Sequence, residues 1–128
     1  MFARKAKERS VRSPKPAFNS ILQQAKKRNV VEINSEYLFE LYDKQEGLCA
    51  LSGVRMTWAG GGAKPTSISV DRIDNSKGYV EGNVRIVCMA VNAFRSTMND
   101  AELLKFAKAL VSNMESKISM RQCIEEIA

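Results

Sequence analysis

Polar residues that can bind a cation or a phosphate recur in the centre of the chain, each beside a predicted change in secondary structure. Asp71 stands at the end of a predicted strand, Asn83 follows a turn, and Asn92 lies one turn inside a predicted helix. A carboxylate and an amide oxygen in one cleft suit a hard divalent cation such as Mg²⁺, and Arg95, one helical turn after Asn92, would face the same phosphate. The spacing also fits a plain hairpin, in which Asp71 and Asp74 flank turns and the asparagines serve a turn and a helix cap. Spacing alone leaves both interpretations open.

The residue types that are missing exclude several kinds of site. The chain has 128 residues and no histidine, so serine–histidine triads, histidine general bases and histidine metal ligands are excluded. Cys49 and Cys88 each stand where a strand ends, but a structural zinc site needs four Cys or His ligands and the chain has three cysteines. We therefore expect buried thiols and no structural zinc. Lys64 follows the glycine run 60–62, yet Pro65 comes next where a phosphate-binding loop requires Ser or Thr, which favours an ordinary hairpin loop.

The elements that must position the polar residues form a mixed α+β plan. Apolar residues at helical spacing predict two N-terminal helices. Alternation over 67–70 and the apolar residues of 84–87 predict two strands, followed by a helix over 88–96. Two C-terminal helices come next, and the first has a capping-box pattern at Asn99 and Glu102. We predict a small ββα hairpin–helix centre packed between N-terminal and C-terminal helices.

Positive charge is concentrated at the N-terminus. The chain carries 20 Lys and Arg against 14 Asp and Glu, and residues 1–30 hold nine of the basic residues but only one acidic residue. The basic residues of this stretch are Arg4, Lys5, Lys7, Arg9, Arg12, Lys15, Lys26, Lys27 and Arg28. Low hydrophobicity predicts a flexible basic arm over 1–16 and a single domain over 17–128. The asymmetry favours a nucleic-acid backbone as partner, although a solvated tail would have the same composition.

The chain has no apolar run near the roughly 20 residues of a membrane helix. Its basic start lacks the apolar segment of an export signal, and an odd number of cysteines without a Cys-x-x-Cys pair favours a reducing compartment. We therefore expect a cytoplasmic protein with no membrane partner.

Four short motifs of the chain occur in the order and spacing of a known family. They are CALSG at 49–53, DRI at 71–73, GYVEGN at 78–83 and CMAVNAFR at 88–95. The chain thereby resembles the HNH endonucleases of the ββα-metal group, particularly their small phage-type members. Their pattern runs from Cys-x-x-Cys/Thr-Gly through Asp-His-Ile and Gly-x₄-Asn to Cys-x-x-Cys-Asn-x-x-Lys. The resemblance covers about residues 20–110 and implies the HNH-like ββα-metal fold.

The resemblance also implies a role for each matching residue. Asp71 and Asn92 would hold the divalent metal, Mg²⁺ or a similar cation, while Asn83 would fix the loop geometry and Arg95 would bind phosphate. Arg72 stands where the family has the histidine that activates water. Because arginine is not deprotonated in proteins, Arg72 would act by its charge, as in a subtype with Asp-Arg in place of Asp-His.

The other departures from the family pattern concern the general base and the structural zinc site. Asp74, or a water activated by the metal, would replace histidine as the base. Ser52 and Val91 replace the second cysteine of each zinc knuckle, which again predicts no structural zinc. With Arg72 and Arg95, Arg85 joins the predicted nucleic-acid-binding set, to which the basic residues of 1–30 also belong.

Three functions compete at this point. The first is a metal-dependent HNH-like endonuclease that hydrolyses DNA phosphodiester bonds, of phage or bacterial origin and with an atypical base. The second is a catalytically inactive, HNH-derived DNA-binding protein, and the third is a protein-interaction module. DNA is the expected partner of the first two. RNA, a homodimer and a separate protein partner stay open.

Overall fold

The computed structural model describes residues 13–59 and 62–127. The chain divides between Phe94 and Arg95 into two compact units. The elements in chain order are α1 (Lys15–Ala25), α2 (Ser35–Lys44), β1 (Ile68–Arg72), β2 (Val84–Cys88), α3 (Met89–Arg95) and α4 (Asp100–Ile127). The predicted division into an arm over 1–16 and a domain over 17–128 stays a prediction. The helix α1 already includes the last two residues of that arm, and residues 1–12 lie outside the described residues.

Helix α1 forms because its apolar residues recur on one face. Phe18, Leu22 and Ala25 are buried at the i, i+4, i+7 spacing of an amphipathic helix. Pro16 lies in the first turn, where its missing N–H costs no helical hydrogen bond. The apolar stripe therefore anchors α1 in the core through Phe18, which is fully buried.

Helix α2 begins and ends with recognisable local signals. The Asn34 side chain accepts a 2.9 Å hydrogen bond from the backbone N–H of Tyr37, as an N-cap residue does. After the helix, Glu46 and Gly47 both have positive φ, 57° and 73°, a conformation that glycine adopts at little cost. This turn redirects the chain toward the segment that carries Cys49.

The end of α2 is tied directly to the second strand. The Gln45 side chain donates 2.8 Å hydrogen bonds to the carbonyl oxygens of Leu48 and Ile86, and its Oε1 accepts a 3.1 Å bond from the backbone N–H of Ile86. Since Gln45 and Ile86 are 41 residues apart, one amide side chain joins two distant segments.

The two strands form an antiparallel hairpin. The register runs from Ile68 opposite Cys88 to Arg72 opposite Val84. One face of each strand, with Val70 and Ile86 among its residues, packs with the apolar faces of α1 and α2, and period-2 geometry places these residues on the same side. Helix α3 follows β2 without a break. The predicted α+β class, with a hairpin–helix centre, is confirmed.

The C-terminal unit differs from the sequence prediction. The apolar spacing predicts two helices, and the structure has one helix of 28 residues, α4. The mostly polar stretch 112–119 interrupts the apolar periodicity but contains no Gly or Pro, so nothing in it breaks the backbone hydrogen bonding. The predicted capping box is confirmed, because Asn99 and Glu102 each accept a hydrogen bond from the other's backbone N–H, at 2.9 and 3.1 Å. Within the part of the chain that the structure describes, no helix combines the length and apolarity needed to cross a membrane.

Candidate functional site

The centre of the candidate site is a buried ion pair across the hairpin. Asp71 and Arg85 are directly opposite in the register, and the Arg85 Nε lies 2.7 Å from the Asp71 Oδ2. The Asp71 side chain is 1% exposed and that of Arg85 15%. A carboxylate at this depth requires a compensating charge, which Arg85 supplies. The structure therefore places Arg85 beside the predicted metal ligand.

Asn92 reaches the same face of the hairpin from α3. Its Nδ2 donates a 2.7 Å hydrogen bond to the Ser69 hydroxyl and a longer one, 3.5 Å, to the carbonyl oxygen of Val70. Ser69 precedes Asp71 by two residues, so both side chains leave β1 on one face. Because the amide nitrogen faces the strand, the Asn92 Oδ1 is directed elsewhere, and it accepts no hydrogen bond from the described residues. The two predicted metal ligands thus lie on one face of the ββα unit.

Arg72 is engaged with the loop that follows β1. One of its terminal nitrogens donates hydrogen bonds to the carbonyl oxygens of Asn75, at 3.1 Å, and Lys77, at 3.2 Å. The guanidinium also lies 5.4 Å from the centre of the Tyr79 ring, a distance typical of a cation–π contact. Arg72 therefore holds the shape of this loop.

Asn83 closes the same loop from the other side. Its Oδ1 accepts a 2.9 Å hydrogen bond from the backbone N–H of Asp74, and its Nδ2 donates to the carbonyl oxygens of Asp74 and Gly78 at 3.1 and 2.9 Å. The residue is 7% exposed. These contacts are those of a residue that fixes loop geometry, the role that the resemblance implies for Asn83.

Asp74, the predicted replacement base, forms a local turn. Its Oδ1 accepts hydrogen bonds from the Ser76 hydroxyl at 2.6 Å and the Ser76 backbone N–H at 2.9 Å. These bonds favour the charged form and lower the pKa of the Asp74 carboxyl, with a smaller contribution from the charge of Lys77. A carboxylate with a lowered pKa is a weaker proton acceptor, so the environment of Asp74 works against the role of general base.

The predicted phosphate-binding residues occupy several environments. Lys26, Lys27 and Arg28 are exposed in the turn after α1, and the Lys15 Nζ lies 5.3 Å from the centre of the Phe39 ring. The basic residues of the arm that lie outside the described residues are Arg4, Lys5, Lys7, Arg9 and Arg12. In the C-terminal unit, the Nε of the buried Arg95 lies 4.0 Å from the Asp100 carboxylate. All of these stay predictions as phosphate ligands.

The two central cysteines form a buried thiol pair. The Cys49 Sγ accepts hydrogen bonds from the backbone N–H of Cys88 at 3.3 Å and of Ser52 at 3.4 Å. Burial alone would raise the pKa of the Cys49 thiol, but hydrogen bonds from the Ser52 side chain and nearby backbone N–H groups lower it on balance. Burial, together with the adjacent Cys49, raises the pKa of the Cys88 thiol. The expectation that no structural zinc binds here stays a prediction.

Sequence reasoning missed three residues of the site. Ser69 holds Asn92, Tyr79 lies beneath Arg72, and Lys77 is exposed at the tip of the loop that Arg72 organises. Of these three residues, only Ser69 could have been assigned to the site from the sequence pattern. It alternates with the apolar strand residues and lies two positions before Asp71, which assigns it to the face of that residue.

Comparison with known proteins bears on the fold. No protein-family model matches the chain, and no curated protein matches it significantly. Among solved structures, the chain is similar to PacI, a rare-cutting HNH restriction endonuclease, with a TM-score of 0.54. The identity is 18%, and the match covers 77% of this chain and 76% of that chain. The fold is HNH-like. The antiparallel hairpin, the helix that follows it and the helices before and after them along the chain agree with this assignment, and the predicted fold class is confirmed.

The donor set of Asp71 and Asn92 fits a hard divalent cation. Mg²⁺ in phosphoryl-transfer sites is typically held by one or two carboxylates, with waters and substrate phosphates completing its shell. The hairpin face offers one carboxylate and one amide oxygen that accepts no hydrogen bond from the described residues. No cluster of three or more His, Cys, Asp or Glu side chains able to hold a metal occurs within residues 13–59 and 62–127. One carboxylate and one amide oxygen are a donor set of the kind that leaves the other positions of a Mg²⁺ shell to water and phosphate oxygens.

Proposed function

We propose that the chain is an HNH-like endonuclease that hydrolyses DNA phosphodiester bonds with a divalent cation such as Mg²⁺. The observation that carries this proposal is the placement of Asp71 and Asn92 on one face of the hairpin within an HNH-like fold. Those two residues would hold the cation, which when bound supplies positive charge to the scissile phosphate as negative charge develops on it.

The other residues of the site prepare these two ligands. The Arg85 guanidinium pairs with the buried Asp71 carboxylate and orients it. The Ser69 hydroxyl accepts a hydrogen bond from the amide nitrogen of Asn92, so the amide oxygen of Asn92 is directed away from Ser69. Asn83 and Arg72 hold the adjoining loop by hydrogen bonds to its backbone. Arg72 adds a permanent positive charge next to Asp71 in sequence and does not act as a base.

A second candidate function, DNA binding without cleavage, is favoured by a different observation. Arg72 stands at the position of the family's histidine, and its guanidinium donates hydrogen bonds to loop carbonyls. Hydrogen bonds from Ser76 lower the pKa of Asp74. The chain has no histidine to replace either as a proton acceptor. A protein with this site would retain the DNA-binding surface of the fold and lack a base.

Nicking of supercoiled plasmid in Mg²⁺ or Mn²⁺ tests the proposal and separates the two functions. Asp71→Asn and Asn92→Ala should each reduce nicking by at least about a hundredfold, the loss typical of removing a group that stabilises charge in the transition state. The matched control is Asp43→Asn, because Asp43 is an exposed carboxylate of α2.

Each result has one interpretation. Nicking by the wild type that EDTA abolishes, with both site variants inactive, supports the endonuclease. Equal nicking by Asp71→Asn and wild type overturns the site assignment. DNA binding by a wild type that never nicks supports the second candidate.

A further inference from the structure

A short backbone pairing joins the loop after β1 to the segment after α1. The backbone N–H of Tyr79 donates a 2.8 Å hydrogen bond to the Val30 carbonyl, and the Glu32 N–H donates a 2.9 Å bond to the Tyr79 carbonyl. The pairing is a parallel bridge between Val31 and Tyr79. Two segments far apart in sequence thus run side by side in the same direction.

The direction of this bridge determines which residues become neighbours. In a parallel pair, the residues that precede the bridge on both segments lie at the same end, and paired segments are about 4.8 Å apart. Arg28 precedes Val31 by three residues and Lys77 precedes Tyr79 by two. The exposed turn 26–28 and the exposed Lys77 both come just before the bridge, so the two segments enter the pairing from the same end.

Both sides of this junction are fixed by the fold. The turn after α1 is held by the Ala25 carbonyl, which accepts a 2.9 Å bond from the Asn29 backbone N–H and a 3.3 Å bond from its side chain. Gly78 contacts the other segment so closely that a Cβ added to it would lie 2.5 Å from the Val30 carbonyl oxygen. Lys77, just before that contact, is held through its carbonyl by Arg72.

We propose that Lys26, Lys27, Arg28 and Lys77 form one phosphate-binding surface for the DNA backbone, called here the basic junction. Arg72 acts as its positioning residue. The inference rests on the proposed function, because it names where the DNA partner of that site is held.

The charge balance of the junction favours an anionic partner. It has four positive side chains, and the exposed carboxylates next to them are Asp74 and Glu32. The Asp74 carboxylate interacts with the charge of Lys77, but four positive side chains against these two carboxylates leave the junction with a net positive charge. Side chains held on two fixed backbone segments meet phosphates at a set spacing, which positions a duplex without reading its sequence.

DNA binding measured without catalysis tests the basic junction. Anisotropy of a labelled duplex of about 20 base pairs, titrated with the full chain in EDTA over a KCl series, gives the slope of log affinity against log salt. Removal of one phosphate-binding charge should lower the magnitude of that slope by about 0.9. Lys77→Ala should lower it by that amount and weaken binding, whereas the matched control Lys44→Ala, an exposed lysine at the end of α2, should not.

A double-mutant cycle tests the positioning role of Arg72. If Arg72 acts through Lys77, Arg72→Gln weakens binding in the wild-type background and adds nothing in a Lys77→Ala background. An independent phosphate contact by Arg72 would instead give additive losses and overturn the positioning role. The fluorescence of Trp58, the single tryptophan, confirms that each variant is folded.

The outcomes also separate this inference from the proposed function. Wild-type affinity and slope in both Lys77→Ala and the triple variant Lys26→Ala/Lys27→Ala/Arg28→Ala would overturn the junction, and plasmid nicking would still stand on its own test. A lowered slope in a protein that never nicks would support the junction and overturn the catalytic proposal.

Discussion

Asn83 should contribute more stability to the central loop than any other single side chain described above. Asn83→Ala removes three hydrogen bonds to the backbone of Asp74 and Gly78 at a position that is 7% exposed. A typical net contribution is about 0.5–1.5 kcal/mol for each bond, and the backbone groups left behind are partly shielded from water. We therefore expect the free energy of unfolding to fall by about 2–4 kcal/mol.

Urea unfolding followed by Trp58 fluorescence measures this loss in the unit that contains the hairpin. With a denaturant slope of about 2 kcal/mol per molar, the midpoint should fall by about 1–2 M. Asn83→Asp keeps the acceptor and loses both donors, so at neutral pH it should be destabilised at least as much. Asn19→Ala is the control, since Asn19 is exposed on α1. A loss below about 0.5 kcal/mol for Asn83→Ala, the usual range of neutral surface changes, would refute the assignment of Asn83 as the organiser of this loop.

Four further outcomes follow from features already described. Phe18→Ala should lower the free energy of unfolding by about 3–5 kcal/mol in the same urea assay, because the ring is fully buried. The hydrogen bonds from Ser76 lower the pKa of Asp74 below its ordinary 3.8. The stability that these hydrogen bonds contribute is present above about pH 4 and is lost as the pH falls through the lowered pKa of Asp74. Ser76→Ala should therefore lose less stability than the wild type when the pH falls from about 5 to about 2. Of the three thiols, only Cys123 is exposed, and titration of the native protein with a thiol reagent should show one fast thiol, with the other two reacting after unfolding. EDTA should leave the thermal midpoint unchanged, and a fall would reveal a structural metal.

The sequence predicts those parts of the fold in which the signal is local. Alternation over 67–70 predicts β1, and the Asn99–Glu102 pattern predicts the start of α4, because each depends on residues within a few positions of one another. The 28-residue length of α4 was not predictable from apolar periodicity. Helix continuation depends on the absence of backbone-breaking residues, and an exposed helix need not keep an apolar stripe.

The sequence names candidate residues for the site, and their contacts could not be predicted from it. The Asp71–Arg85 pair depends on the register of the hairpin, which the intervening loop determines. The contacts of Arg72 with the Asn75 and Lys77 carbonyls have no periodic signature, since they depend on the path of an irregular loop. Family resemblance aligned Arg72 with a catalytic position, and only coordinates relate it to the loop backbone.

The Gln45 contacts have a consequence for self-association. A two-stranded sheet has two open edges, and an exposed edge is a template on which another strand can pair. The Gln45 amide forms hydrogen bonds with both the N–H and the carbonyl of Ile86 on the outer edge of β2. On β1, the Ile68 N–H donates a 2.9 Å hydrogen bond to the Thr57 carbonyl. A primary amide carries one donor and one acceptor side by side, as a peptide group does, so Gln45 acts as a one-residue substitute for a third strand. Gln45→Leu would free the Ile86 N–H while keeping the side-chain volume, although the Ile86 carbonyl still accepts a 3.0 Å hydrogen bond from the backbone N–H of Ala50. Light scattering at raised protein concentration would show whether the hairpin then recruits strands from other molecules.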